Sequence, residues 1–164
     1  YHANAGTLLK TQDIAQHCYG VFWLCYALTH QTPSVELLIR AMAHDAGERK
    51  TGDMPGPTKR TLGIEARMDA MEFNYLHDKC GYTRDDPLSS NEFMALKLAD
   101  ALDGMLFCQR ETTLGNRAHF ETFNNYIIDV EEKIEAAPSD NSLNLTLARN
   151  LLLDARKIYD NSLR

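Results

Sequence analysis

The chain of 164 residues is long enough for one domain with a single sizeable core and needs no disulfide staples. Its 44% hydrophobic and 24% charged residues are ordinary for a soluble globular chain, and no apolar run approaches the roughly 20 residues of a bilayer span, which excludes a membrane-spanning segment. A net charge of -6 argues against a protein that coats nucleic acid polymers, which are bound through clustered Lys and Arg; a small anionic substrate stays open through local cations or a metal ion.

The elements read in chain order as helices. Over 13–29, apolar residues recur at spacings of three and four (Ile14, Cys18, Val21, Phe22, Cys25, Leu28), one buried helix face. Thr32 before Pro33 predicts the start of a second helix, carried by Val35, Leu37, Leu38, Ala41 and Met42 into His44 and Asp45 and ending near Lys50. Gly52, Pro55, Gly56 and Pro57 break either period, so 51–57 reads as an ordered loop. A third helix is expected over about 62–80, stopped by Gly81 as a left-handed cap. Ser89 and Glu92 form a capping-box pattern that opens a fourth helix through Phe93, Leu96, Ala99, Leu102, Leu106 and Phe107. Two more follow over about 116–136 and 141–162, separated by Pro138, and no strand pattern or repeat emerges. The expected architecture is a compact all-α bundle of about six helices, a single domain over 1–164.

The cysteines Cys18, Cys25, Cys80 and Cys108 form no CxxC pair and sit in apolar helical patterns, which points to buried thiols and a reducing, intracellular compartment. The chain opens at Tyr1 with no initiator Met and no signal-peptide pattern, so a few residues are expected to precede it.

Polar residues break the apolar faces at three places. His17 lies on the first helix, His44-Asp45 ends the second, and Asp100 lies within "KLADALDG" of the fourth. Singly, a buried His is more often a satisfied core residue, and a mid-helix Asp is usually solvated or paired. Together, three helices each offer a metal-type ligand toward one interior, and a divalent cation makes such a cluster tolerable. The mixed N and O set suits Mn, Fe, Co or Zn more than Ca or Mg. Glu48 lies one turn beyond His44 and Asp45, and Asp53 follows in the loop; one of the two carboxylates can orient or deprotonate water while the other protonates a leaving oxygen. Their bland alternative is solvated charge at a helix end. Lys59 and Arg60 are candidates for phosphate oxygens, or else surface charge.

His17, then His44-Asp45, then Asp100 reproduce the H…HD…D order of the HD-domain metal-dependent phosphohydrolases. "HDAGERKTGDMPGPTKR" resembles the segment of the 5′-deoxynucleotidases of that superfamily, in which HDxxE is followed by TGD, P-x-P and a basic residue. "TQDIAQHCYGV", "DAMEFNYL" and "LKLADALDGMLFCQRE" resemble three further helices of that family, so the likeness covers about 1–111, with 116–162 completing the bundle or an oligomer interface. The resemblance implies that His17, His44, Asp45 and Asp100 bind one or more divalent ions (Co, Mn, Zn, Fe or Mg), that Glu48 and Asp53 are catalytic, and that Lys59 lies near the phosphate. It places a recurrent Glu at Glu72 and an aromatic substrate contact at Tyr1. Gln16 departs from the family pattern, standing where relatives usually carry a Glu that supports the first His.

The implied reaction is single-step hydrolysis of a deoxynucleoside 5′-phosphate, dNMP to deoxynucleoside and phosphate. The alternative, suggested by short phage-encoded relatives, is removal of triphosphate from a dNTP such as dATP, for which Lys10, Lys50, Lys59, Arg60 and Arg67 are candidate cations. A non-catalytic module that senses a nucleotide is the rival outside enzymology; it would need a broken HD set, whereas Glu48, Asp53 and all four ligands are intact. A homo-oligomer in the cytoplasm, or a host's cytoplasm, is expected by analogy. Ile127, Val130 and Ile134, or Leu147, Leu151, Leu152 and Ile158, supply either its interface or intrachain core.

Overall fold

A computed structural model describes residues 12–48, 52, 56–81 and 87–163. Seven α-helices are present among them: α1 (Ile14–Leu28), α2 (Val35–Ala43), α3 (Gly56–Leu62), α4 (Glu65–Cys80), α5 (Ser90–Thr113), α6 (Phe120–Ala136) and α7 (Leu145–Ser162), with a short 3-10 turn at Arg117–His119 before α6. No strand occurs among the described residues, as the sequence leads one to expect.

The helix α5 is the axis of the bundle. Its buried positions run all round the helix, among them Ala95, Leu98, Ala99, Leu102, Met105 and Cys108, the pattern of a helix enclosed by its neighbours. It packs against α1, α2, α6 and α7, and the core is closed by Val21, Cys25 and Leu28 of α1, Leu37 and Ala41 of α2, and Phe123, Ile127 and Val130 of α6. Each fully buried Leu of this set stabilises the fold by about 1.5–3 kcal/mol relative to exposure. The apolar stripes of the last two helices are largely intrachain: Ile127, Val130, Ile134 and Leu152 are buried, and Leu151 and Ile158 pack on the same core.

Local chemistry sets the helix boundaries, and it corrects several of them. Asp13 caps α1 in a capping box with Gln16, and Ser89 caps α5 in one with Glu92. The second helix begins two residues later than its Thr32-Pro33 signal, because the Ser34 side chain accepts from the Leu37 N–H, and it ends at Ala43 rather than near Lys50. Beyond Ala43 the chain tightens into bonds from Ala46 N to Ala43 O and from Glu48 N to Asp45 O, so His44 and Asp45 stand at a helix C-terminus and not inside one. The expected loop over 51–57 is already helical at Gly56 and Pro57, a Pro tolerated in a first turn because its missing N–H would lack an intrahelical partner there. The expected third helix is present as α4 but starts at Glu65, three residues late, after Gly63, whose φ of 64° needs a residue without a Cβ penalty, and the short helix α3 precedes it. Gly81 closes α4 at φ 62°, as its position suggests. The last helix starts at Leu145 under an Asn144 cap, four residues later than expected, and Asn144 N–H donates to Leu28 O at 2.7 Å, tying the start of α7 to the end of α1.

Candidate metal centre

Three helices converge where the sequence expectation put its ligands. His17 enters from the first turn of α1, His44 and Asp45 from the C-terminal end of α2, and Asp100 from the middle of α5. His17 is buried; the Asp100 side chain keeps 43% of its surface open, so the group has one solvent-facing side.

Both imidazoles turn the same nitrogen inward. His44 Nδ1 donates to the Ala41 carbonyl at 2.9 Å, and His17 Nδ1 donates to Asp103 Oδ2 at 2.7 Å, which leaves Nε2 of each ring facing the other at 3.2 Å. Around this pair, Asp100 Oδ1 lies 3.2 Å from His17 Nε2 and 3.9 Å from His44 Nε2. Asp45 Oδ2 lies 3.4 Å from each Nε2. Two donors held about 2.1 Å from one ion stand about 3.0 Å apart at a right angle and about 3.4 Å at the tetrahedral angle. The spacings therefore suit donors of a single divalent ion, and His17, His44 and Asp100 form a group whose donor atoms all lie within 4.8 Å of one another. Asp45 approaches both rings but falls outside that mutually close set, at its edge.

The electrostatics agree with the donor chemistry. Burial by itself would lower the His17 pKa, but hydrogen bonds to Asp100 and Asp103 and the charges of Asp100 and Asp45 outweigh it and push the imidazole up to about 10. Burial works against ionised Asp100 too, and the His17 hydrogen bond with the charges of His44 and His17 overcomes it, holding the carboxyl well below the usual range. The carboxylates that hold a proton on this ring would equally face a metal ion, which has to displace that proton. Cys18 approaches His44 Nδ1 at 3.9 Å, yet burial and the Asp45 charge push its thiol up to about 12, so it is a neutral neighbour rather than a thiolate donor.

Glu48 is buried one turn beyond Asp45, and its Oε1 lies 3.9 Å from Lys59 Nζ of α3. The basic residue expected near a phosphate is thus brought beside the carboxylate expected to handle protons. Tyr1, Lys10, Lys50 and Asp53 lie outside the described residues, as do the side chains of Arg60 and Glu72.

Two residues of the site are not foreshadowed by the motif order. Asp103 supplies the His17 Nδ1 acceptor, and Gln12 Nε2 donates to the same Asp103 oxygen at 2.7 Å. Gln16, where the family pattern puts a supporting Glu, instead turns its side chain into the α1 capping box. The available signal was Asp103 itself, one helical turn from Asp100 in "KLADALDG" and so on the same face of α5.

Fold and site together define an all-α protein with a partly buried His/His/Asp group that could hold a metal ion. No protein-family model matches the chain. It is similar to the 5′-deoxynucleotidase YfbR of Salmonella typhi, 30% identical over 129 residues that make up 66% of this chain and 65% of that protein. The chain thus spans slightly less than two thirds of that relative's length. No helix among the described residues is long and apolar enough to cross a membrane.

Proposed function

We propose that the chain is a metal-dependent phosphohydrolase of the HD type acting on deoxynucleoside 5′-phosphates. The observation that carries this reading is the facing pair of Nε2 atoms, His17 and His44 at 3.2 Å, flanked by Asp45 and Asp100. The likeness to a protein named 5′-deoxynucleotidase supports the substrate class.

In this reading His17, His44, Asp45 and Asp100 hold one divalent ion. Such an ion supplies Lewis acidity toward a phosphate oxygen and lowers the pKa of water toward neutrality. Glu48, buried and one turn from Asp45, orients the attacking water and takes its proton. Water oxygen bonds to phosphorus as its proton passes to Glu48, the bond from phosphorus to the 5′ oxygen breaks, and that oxygen takes a proton from the second acid-base group, proposed to be Asp53, leaving as the deoxynucleoside hydroxyl with inorganic phosphate as the second product. Lys59, beside Glu48, offers its ammonium to a phosphate oxygen as the substrate enters. Asp53, Tyr1, Lys10 and Arg60 complete the proposed set from the motif, as second acid-base group and substrate contacts.

The experiment is a product analysis. Protein loaded with Mn or Co is incubated with a panel of dNMPs, dNTPs and ribonucleotides, and products are separated by chromatography. Phosphate from dNMPs is the expected product; triphosphate from dATP would move the reaction to the triphosphohydrolase class, and equal turnover of ribonucleotides would remove the deoxynucleotide preference.

A further inference from the structure

His17 is gripped at both ring nitrogens by carboxylates of one helix. Asp100 Oδ1 lies 3.2 Å from Nε2, and Asp103 Oδ2, one turn along α5, lies 2.7 Å from Nδ1. The two nitrogens of an imidazole point to different sides of the ring, so the carboxylate at Nδ1 cannot share an ion with the donors at Nε2. Asp103 therefore stands outside the donor group and acts on it through the ring.

Its own position is built. The Asp103 side chain is largely buried, at 14% exposed, and Gln12 Nε2 donates to the same oxygen that accepts from His17. On the other side the α1 backbone comes so close that a Cβ on Gly20 would lie 2.0 Å from Asp103 Oδ1 and 2.8 Å from its Cγ. Gly20 is a mid-helix glycine, which costs a helix stability relative to Ala, and at this place it leaves the room in which the carboxylate sits. His17 and Gly20 are three residues apart on α1, so the same helix face presents both the ring and the gap.

We propose that Asp103 is the positioning residue of the metal centre: held by Gln12 and admitted by Gly20, it fixes His17 as the Nδ1–H tautomer and turns Nε2 into the donor group. Carboxylates that accept from the remote nitrogen of a ligating histidine do this elsewhere, and their loss costs roughly 10–100-fold in metal affinity. The proposal rests on the metal reading above, and it adds a dependence on Gly20 that the metal reading does not require.

The test is a double-mutant cycle read by Co(II) affinity, measured by chelator competition on the purified full chain, with thermal melts of the metal-free proteins alongside. Asp103→Ala is expected to weaken Co(II) binding by about 10–100-fold. Asp103→Asn, which keeps the volume and one oxygen acceptor, is expected to recover part of that loss. Gly20→Ala alone is expected to weaken binding because its methyl displaces the carboxylate. In the Asp103→Ala background the same Gly20→Ala change is expected to leave affinity within about twofold and to raise the melting temperature, since only the helix preference for Ala remains. Wild-type chain that takes up no Co(II), Mn(II) or Zn(II) overturns the metal reading and the Asp103 role with it. Wild-type chain that binds, beside Asp103→Ala of equal affinity or a Gly20→Ala loss that persists without Asp103, overturns the Asp103 role alone.

Discussion

His17 Nε2 and His44 Nε2 face each other at 3.2 Å across the gap between α1 and α2. Each ring is held from behind by an acceptor for its Nδ1–H, the Asp103 carboxylate for one and the Ala41 carbonyl for the other. In the proposed metal-bound state both Nε2 atoms turn toward one point and share the ion. Replacing either ring by Ala, or Asp100 by Ala, is therefore expected to reduce Co(II) affinity by at least about 100-fold and to abolish phosphate release, by the same reasoning that makes metal sites depend on their full ligand set. Isothermal titration with the purified variants checks it. Activity unchanged in Asp45→Ala would remove that residue from the group, whose edge it occupies.

In the proposed reading Glu48 serves turnover and not metal binding. It is buried beside Lys59 and lies outside the His17, His44 and Asp100 donor group. Glu48→Gln keeps the shape and removes the base, so metal affinity should stay within about threefold while kcat falls by about 10²–10⁴-fold, the usual worth of a positioned proton acceptor. Steady-state kinetics and a Co(II) titration on the same preparation distinguish this from simple loss of the site, in which both quantities would fall together.

Glu92 links two helix starts. Its Oε2 accepts from the Ser89 N–H at 3.1 Å and Oγ at 2.8 Å, and its Oε1 accepts from the Ser34 N–H at 3.3 Å, so one carboxylate caps α5 and meets the N-cap of α2. Partial burial would raise its pKa, but the bonds from Ser34 and Ser89 outweigh burial and lower it from 4.5. A carboxyl whose folded pKa is depressed stabilises the fold above its unfolded pKa and loses that contribution as pH falls through the folded one. Glu92→Gln, whose amide nitrogen cannot accept, is expected to cost about 0.5–1.5 kcal/mol at pH 7. The difference should shrink once pH drops below 4.5, and urea melts at neutral and acid pH measure it. A gap of equal size at both pH values would mean that the charge contributes nothing.

Two cysteines should be chemically silent in the folded protein. Cys25 and Cys108 are fully buried, and burial pushes both thiols up to about 12, with the Asp100 charge adding to the first and the Glu111 charge to the second. Alkylation by iodoacetamide at pH 8 is expected to spare both until the chain is unfolded, because the thiolate is the reacting form. Mass spectrometry of peptides from native and denatured protein reads this directly; rapid modification of either in the native state would place it in a more open environment.

The helical character was legible because it is local. The periodicity of Ile14 to Leu28 and the two capping-box patterns, Asp13 with Gln16 and Ser89 with Glu92, depend only on residues three or four apart, and of these the box at Ser89 was read directly from the sequence. Boundaries at glycine and proline were harder. Gly56 and Pro57 can break a helix or begin one, and Gly63 shifts the start of the expected third helix from about 62 to Glu65, because the outcome depends on where the following helix must pack. The site shows the same division. The order of His17, His44-Asp45 and Asp100 could be read from the string, since a motif is a pattern along the chain.

By itself the sequence determined that the chain would be an all-α bundle and which side chains carry metal-type donors, since both follow from residue type and short-range spacing. Only the tertiary structure decided which nitrogen of each imidazole faces the others, that Lys59 meets Glu48, and that Asp103, 86 residues from His17, holds its ring. The last of these depends on how closely α1 approaches α5. That closeness is set by packing over the whole core, and at the site the missing methyl group of Gly20 leaves the room that the Asp103 carboxylate occupies.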